Sequence, residues 1–204
     1  MAQKKSCTDA VDLYEDVIKC PGQKRLPGTR AFGWFIRRAY ITKLAEPQKE
    51  AATALKDYLV IKESHTLQAD KKWIRLEFIP DKSSMAPEAQ GEEGSKTMNN
   101  KATVVLPGTE EEQQAVASML LNDDVIVLVP QRNGKVRQFG DDAFTVNVTP
   151  SATTGASVTD ESNTTLEISV ACETMPPFYY GDIVTADGTY SGETCKLKTV
   201  SEGK

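Results

Sequence analysis

LVPQRNGKVRQFG, residues 128–140, places basic side chains and two glycines between two apolar or alternating runs. A basic, glycine-containing loop of this kind is either a phosphate grip or the bend of a hairpin. A phosphate loop needs G-x-x-x-x-G-K-[ST] with a helix after it. Here Gly134 is followed by Lys-Val-Arg-Gln-Phe, a strand pattern. Strand candidates at 124–130 and 135–139 flank Gln131-Arg-Asn-Gly134, and Asn-Gly supplies the positive φ angles of a tight hairpin turn. The stretch is therefore a hairpin, and the fold around it is β.

The neighbouring sequence extends that pattern. DVIVLVPQ is an unbroken apolar run of strand length, so both of its faces are expected to be covered. KATVVLP, AFTVNVTP and TTLEISVAC are further strand candidates. In the last two, Phe144, Val146 and Val148, then Leu166, Ile168 and Val170, alternate with polar residues. KDYLVIKES is a strand candidate too. KKWIRLEFIP places Ile74, Leu76 and Phe78 opposite Trp73, Arg75 and Glu77, and Pro80 ends it. The polar stretch 81–100 reads as one long loop, mobile or functional. Asp187-Gly188 marks a short C-terminal hairpin before a polar tail.

One helix is expected over about 109–121. Thr109 and Glu112 have the spacing of a capping box, and Glu110, Glu111 and Glu112 suit the positive end of the helix dipole. Val116, Met119 and Leu120 form its apolar stripe, with Ala115 beside them. The acidic cluster is thus explained as a helix start. The fold class is mainly β, a barrel or sandwich with one flanking α-helix. Three regions are expected: an N-terminal arm at 1–54, a core at 55–185, and a hairpin and tail at 186–204.

Composition narrows the function. The 204 residues carry a net charge of -5, with 24 Lys and Arg against 29 Asp and Glu. Residues 1–50 hold +4 of this and the remainder -9, an acidic body that does not suit a tight grip on phosphates. No run approaches the length of a membrane span. Met1–Ala10 has no apolar run of the kind a secretory leader needs, so the two N-x-T sequences, at Asn147 and Asn163, are read as chance.

Cys7, Cys20, Cys172 and Cys195 form no close pair and only one histidine is present, which argues against zinc and for free thiols in a reducing compartment. His65, in IKESHTLQAD, is expected at the surface or at a strand end. Adjacent Ser64 would point to the opposite strand face and gives no nucleophile pair. No carboxylate pairing suits glycoside chemistry, and ADGTYSGE lacks the calcium-loop spacing. No enzyme, metal or cofactor is expected. The aromatic and basic stretch KRLPGTRAFGWFIRRAYITKL suits a protein–protein anchor, with Phe32, Trp34, Phe35, Arg37, Arg38 and Tyr40 as possible inter-subunit contacts.

The order EAQGEEGSK, LPGTEEEQQAVASMLLNDDVIVLVPQRNGKVRQFG, TTGASVTDESNTTLEISV and PPFYYG resembles prophage-encoded tail tube proteins of Bacteroidetes-type phages, over roughly residues 55–181. Each motif is a turn signal, and their order and spacing carry the likeness. The resemblance implies a virion structural protein, assembled in the bacterial host's cytoplasm and then part of the phage particle. Copies of the chain would join sheets into a ring, six to a ring. Rings would stack into a hollow tube through which double-stranded DNA passes without specific binding. Other tail proteins would be partners, and no membrane is involved. The alternatives are a head–tail completion or tail-terminator protein, which forms one ring, and a non-viral β-sandwich binding module.

Overall fold

A computed structural model describes residues 13–22 and 25–200. They form a mainly β fold with one α-helix. The hairpin that opened the sequence argument is its centre. Strands β9 (Val125–Pro130) and β10 (Val136–Phe139) pair antiparallel. The turn differs in detail from the expectation. Gly134 N–H donates to Gln131 O at 2.9 Å and Gln131 N–H to Lys135 O at 2.8 Å, leaving a three-residue loop, Arg132–Gly134. Gly134 alone takes a positive φ, +93°, while the Asn133 side chain accepts from Lys135 N–H at 3.0 Å. A type I turn closed by a glycine bulge needs one left-handed residue, not two.

A six-stranded sheet grows from this hairpin in the order β3 (Val60–Ile61), β13 (Phe178–Tyr179), β10, β9, β1 (Phe32–Arg37), β5 (Ile74–Glu77). A five-stranded sheet runs β11 (Asn147–Thr153), β12 (Asn163–Cys172), β8 (Thr97–Pro107), β6 (Ser84–Met85), with β7 (Glu88–Gln90) also on β8. Between the sheets lies the first core. It takes Val125, Val127, Val129 and Phe139 from one side, and Val104, Leu166, Ile168 and Val170 from the other. Helix α1 (Glu111–Leu120) adds Ala117 and Leu120.

The opposite face of the six-stranded sheet is covered as well. Ile126 and Leu128 point into a second core with Trp34, Ile36, Trp73 and Ile183. That core is roofed by a three-stranded sheet, β14 (Asp182–Thr185), β15 (Gly188–Ser191) and β16 (Leu197–Val200), and by the pair β2 (Ile41–Lys43) and β4 (Thr66–Leu67). This is why DVIVLVPQ lacks alternation: every residue of β9 is buried, on one face or the other. Each such Val, Ile or Leu contributes about 1.5–3 kcal/mol of burial.

Several expectations are corrected. Residues 1–54 are not an arm set apart from a core, because β1 is the strand between β9 and β5. Its run FGWFIR is apolar on both faces, which a central strand requires. Among the described residues of that N-terminal part, 13–22, 25–28 and 44–54 lie outside the strands. The C-terminal hairpin forms as expected, β14 against β15 around Ala186-Asp187, but the residues after it do not all trail as a tail, because 197–200 add β16 to it. The stretch 81–100 is not one long loop, since it holds β6, β7 and the start of β8. KDYLVIKES yields a 3-10 turn and only the two-residue β3.

The helix is shorter than expected, and its N-cap residue is Glu110, without a side-chain cap bond. Thr109 Oγ1 instead meets Ser162 Oγ at 2.9 Å, so no capping box forms. Its inward stripe is Val116, Ala117 and Leu120, while Met119 and Ala115 are exposed. At β5, the edge of its sheet, Leu76 and Phe78 reach the first core as expected, but Ile74 at the strand's start is exposed and Trp73, just before it, is buried in the second core. Phe144 is exposed, unlike Val146 and Val148.

Candidate functional site

The residues expected to make inter-subunit contacts are mostly committed within the chain. Trp34 lies in the second core and Phe35 in the first. Phe32 is half-buried, edge-on to Trp34 at 5.2 Å, with the Arg75 guanidinium 4.7 Å above its ring. Arg37 pairs with Asp123, and Arg38 with Asp142. Arg38 also donates to Ile41 O at 3.0 Å, and Lys71 Nζ sits 4.4 Å from the centre of the Tyr40 ring. Aromatic and basic interleaving here makes a central strand and its flanks, so Trp34 and Phe35 are not surface anchors.

His65 is also corrected: it is buried, at 7% exposure. Ala45 N–H donates to His65 Nδ1 at 3.0 Å, which fixes that nitrogen as the acceptor. His65 Nε2–H then donates to Gln138 Oε1 at 2.8 Å, and Gln138 Nε2 donates to Gly140 O at 3.0 Å. The ring stacks on Tyr179 at 4.6 Å, and His65 N–H donates to the Tyr179 hydroxyl at 3.1 Å. Burial lowers the His65 pKa to about 4; the Gln138 bond opposes this and Arg38 adds to it. Both ring nitrogens are engaged internally, so His65 is a joint between layers, with neither nitrogen available as a base. Burial also pushes the Tyr179 hydroxyl up to about 12.

A depression of about 720 Å³ opens at the end of β10, away from the hairpin turn. Its walls come from residues 46–51, 138–144 and 172–177. Gly140, with φ +91°, turns the chain out of β10; a Cβ there would stand 2.9 Å from Ile126 Cδ1. Asp141 Oδ1 accepts from the N–H groups of Ala143 and Phe144, at 2.9 and 2.7 Å, and so presents Phe144 at the rim, 51% exposed. Pro47, Ala51, Ala143 and Pro177 supply apolar wall. Five carboxylates stand around it, Glu46, Glu50, Asp141, Asp142 and Glu173, against one lysine, Lys49. Lys49 pairs with Glu173 at 2.8 Å and lowers that carboxyl's pKa. Burial, then Asp141, raises the Cys172 thiol to about 11, which keeps it protonated and unreactive near neutral pH. A second hollow, about 360 Å³, lies across Phe144 against β7, β8, β11 and β12.

Two surfaces remain open. β11 is the margin of the five-stranded sheet, paired with β12 on one side only. The outward side of that sheet carries Asn147, Thr149, Ser151, Thr165 and Ser169 around the exposed carboxylate of Glu167, with Lys101 bonded to Glu88. It is a face of mostly short polar groups with few charges. The second open element is the stretch Leu13–Gly22, which lies outside every helix and strand and exposes Tyr14 (95%), Val17 (86%) and Ile18 (76%).

The groove is not marked locally in the sequence: its walls come from three segments far apart in the chain. Among the described residues no group of three or more His, Cys, Asp or Glu could hold a metal ion, and no helix is long and apolar enough to cross a membrane. Cys20, Cys172 and Cys195 are free thiols. Comparison with protein-family models, with curated proteins and with solved structures finds no match to this chain.

Proposed function

We propose that this chain is a phage tail tube subunit, which joins copies of itself into rings and stacks the rings into a conduit for double-stranded DNA. The observation that carries the reading is the open margin of the five-stranded sheet. Among the described residues the seven-residue edge strand β11 has a strand partner on one side only, and such an edge can be completed by another strand. Repetition of one such contact around an axis closes a ring. The order of the turn motifs, which resembles that of tail tube proteins, supports the same reading. So does the polar face of that sheet: a wall of hydroxyl and amide groups around the Glu167 carboxylate, on a chain of net charge -5, lets phosphates slide and does not hold them.

Sedimentation velocity across concentration, with negative-stain electron microscopy of concentrated protein, tests this. Long hollow tubes are expected. Isolated rings that never stack would favour the head–tail completion or terminator reading. A strict monomer under all conditions, including added tail initiator complex, would refute the proposal.

A further inference from the structure

The segment before Gly28, called the arm from here on, is rooted at one end of the β9–β10 hairpin, and the acidic groove lies at the other. The arm joins the fold beside the hairpin turn: Thr29 bridges Gln131, and Arg132 N–H donates to Gly28 O at 3.0 Å. The groove begins at Gly140, past the other end of β10. The six residues of β9 separate the two ends by about 20 Å.

Their chemistry is complementary. From Lys19 to Arg30 the chain has four basic residues and no acidic one. Leu26 is exposed there, and Val17 and Ile18 are exposed just before it. The groove offers carboxylates around apolar wall, and two of those carboxylates, on Asp142 and Glu173, are already paired. Glu46 and Asp141 stand in no ion pair among the described residues and face the same opening.

We infer that residues 17–26 of one copy dock in the acidic groove of a second copy. This rests on the self-assembly reading and names its stacking contact. Because arm and groove are at opposite ends, the contact is head-to-tail and leaves a free arm and a free groove after every addition. It therefore propagates along an axis, where the β11 margin closes around one. The attraction is between exposed or half-exposed charges, so salt weakens it over a Debye length of about 8–10 Å.

The natural Cys20 thiol, on the arm and exposed, gives a direct test. In full-length protein carrying Phe144→Cys, Cys7→Ser and Cys172→Ser, a short bis-maleimide should join Cys20 to the new thiol at the groove rim. The expected result is a ladder of dimers and higher species on a denaturing gel, with the cross-linked peptide pair identified by mass spectrometry. A looped monomer alone, meaning that the arm folds onto its own groove, overturns the inference. So does the absence of that cross-link in protein shown by sedimentation to be assembled; the tail-tube reading then stands without it. Absence of the cross-link together with absence of assembly overturns both.

A charge swap adds a second readout. Glu46→Lys with Glu173→Lys should raise the concentration needed for stacking about tenfold or more. Adding Lys19→Glu and Arg25→Glu should restore at least half of that on a logarithmic scale. Loss without restoration would mean that the groove residues act on the fold, and would refute the pairing.

Discussion

Acidification offers the sharpest test of the interior. His65 is the single histidine of the chain, and it is held neutral between Ala45 N–H and Gln138. Its pKa is about 4 in the folded protein against 6.5 as the ordinary value. The unfolded chain therefore takes up the proton more readily. Stability is full above pH 6.5 and falls as the pH drops toward 4. Between pH 7.5 and pH 4.5 the linkage relation gives a loss of about 2.5 kcal/mol from this one group. Urea unfolding of the wild type at the two pH values, beside His65→Gln, measures it. The variant starts lower because the Ala45 and Gln138 bonds are disturbed. It should nevertheless lose about 2.5 kcal/mol less than the wild type on acidification, since the carboxylates are common to both. Proton NMR reads the same group directly, because one imidazole gives one assignable Hε1 resonance. Equal pH slopes in the two proteins, or a His65 titration centred near 6.5, would refute the reasoning.

Other perturbations follow from the packing. Leu128→Ala opens a cavity in the second core and should cost about 2–5 kcal/mol by chemical denaturation; a cost under 1 kcal/mol would mean that β9 is not clamped from both sides. Gly140→Ala meets both a positive φ and the Ile126 side chain, and should destabilise by more than about 1 kcal/mol, with a lower Tm by calorimetry. Thr149→Lys, Thr165→Lys and Ser169→Lys together would place three cations on the outward sheet face. This should turn negligible binding of a short duplex into measurable, salt-dependent binding by fluorescence anisotropy, and unchanged anisotropy at low salt would count against that face as a smooth DNA wall.

The contrast between β9 and β1 shows where the sequence was readable. VIVLVP is apolar at consecutive positions, and that alone implies cover on both faces. FGWFIR has the same character, yet the flanking arginines and glycines suggested an anchor, and burial of its aromatics in two separate cores depends on strands 40 to 95 residues away. The alternation in β12 was legible because one face meets water. That of β5 holds at Leu76 and Phe78 and fails at Ile74, which the start of an edge strand leaves exposed. His65 looked like a surface residue because its partners, Ala45 and Gln138, lie 20 and 73 residues off. The helix was visible from its acidic start, but its face was displaced: Met119 lost its place to Ala117, which fits closer under the sheet. The groove left no periodic trace, being made of loop segments whose proximity is tertiary.

The position of β1 has a consequence for synthesis. It is synthesised before the other described strands, yet its partners are β5 and β9, and the second of these arrives about ninety residues later. At 5–20 residues per second the segment Phe32–Arg37 waits roughly 5–20 s with both apolar faces bare. During that interval it is the chain's most adhesive stretch, a natural target for a chaperone that holds extended apolar peptides. β1 gains its partners on both sides only once Val125–Pro130 is made, so a ribosome stalled before Val125 would release a product prone to clump.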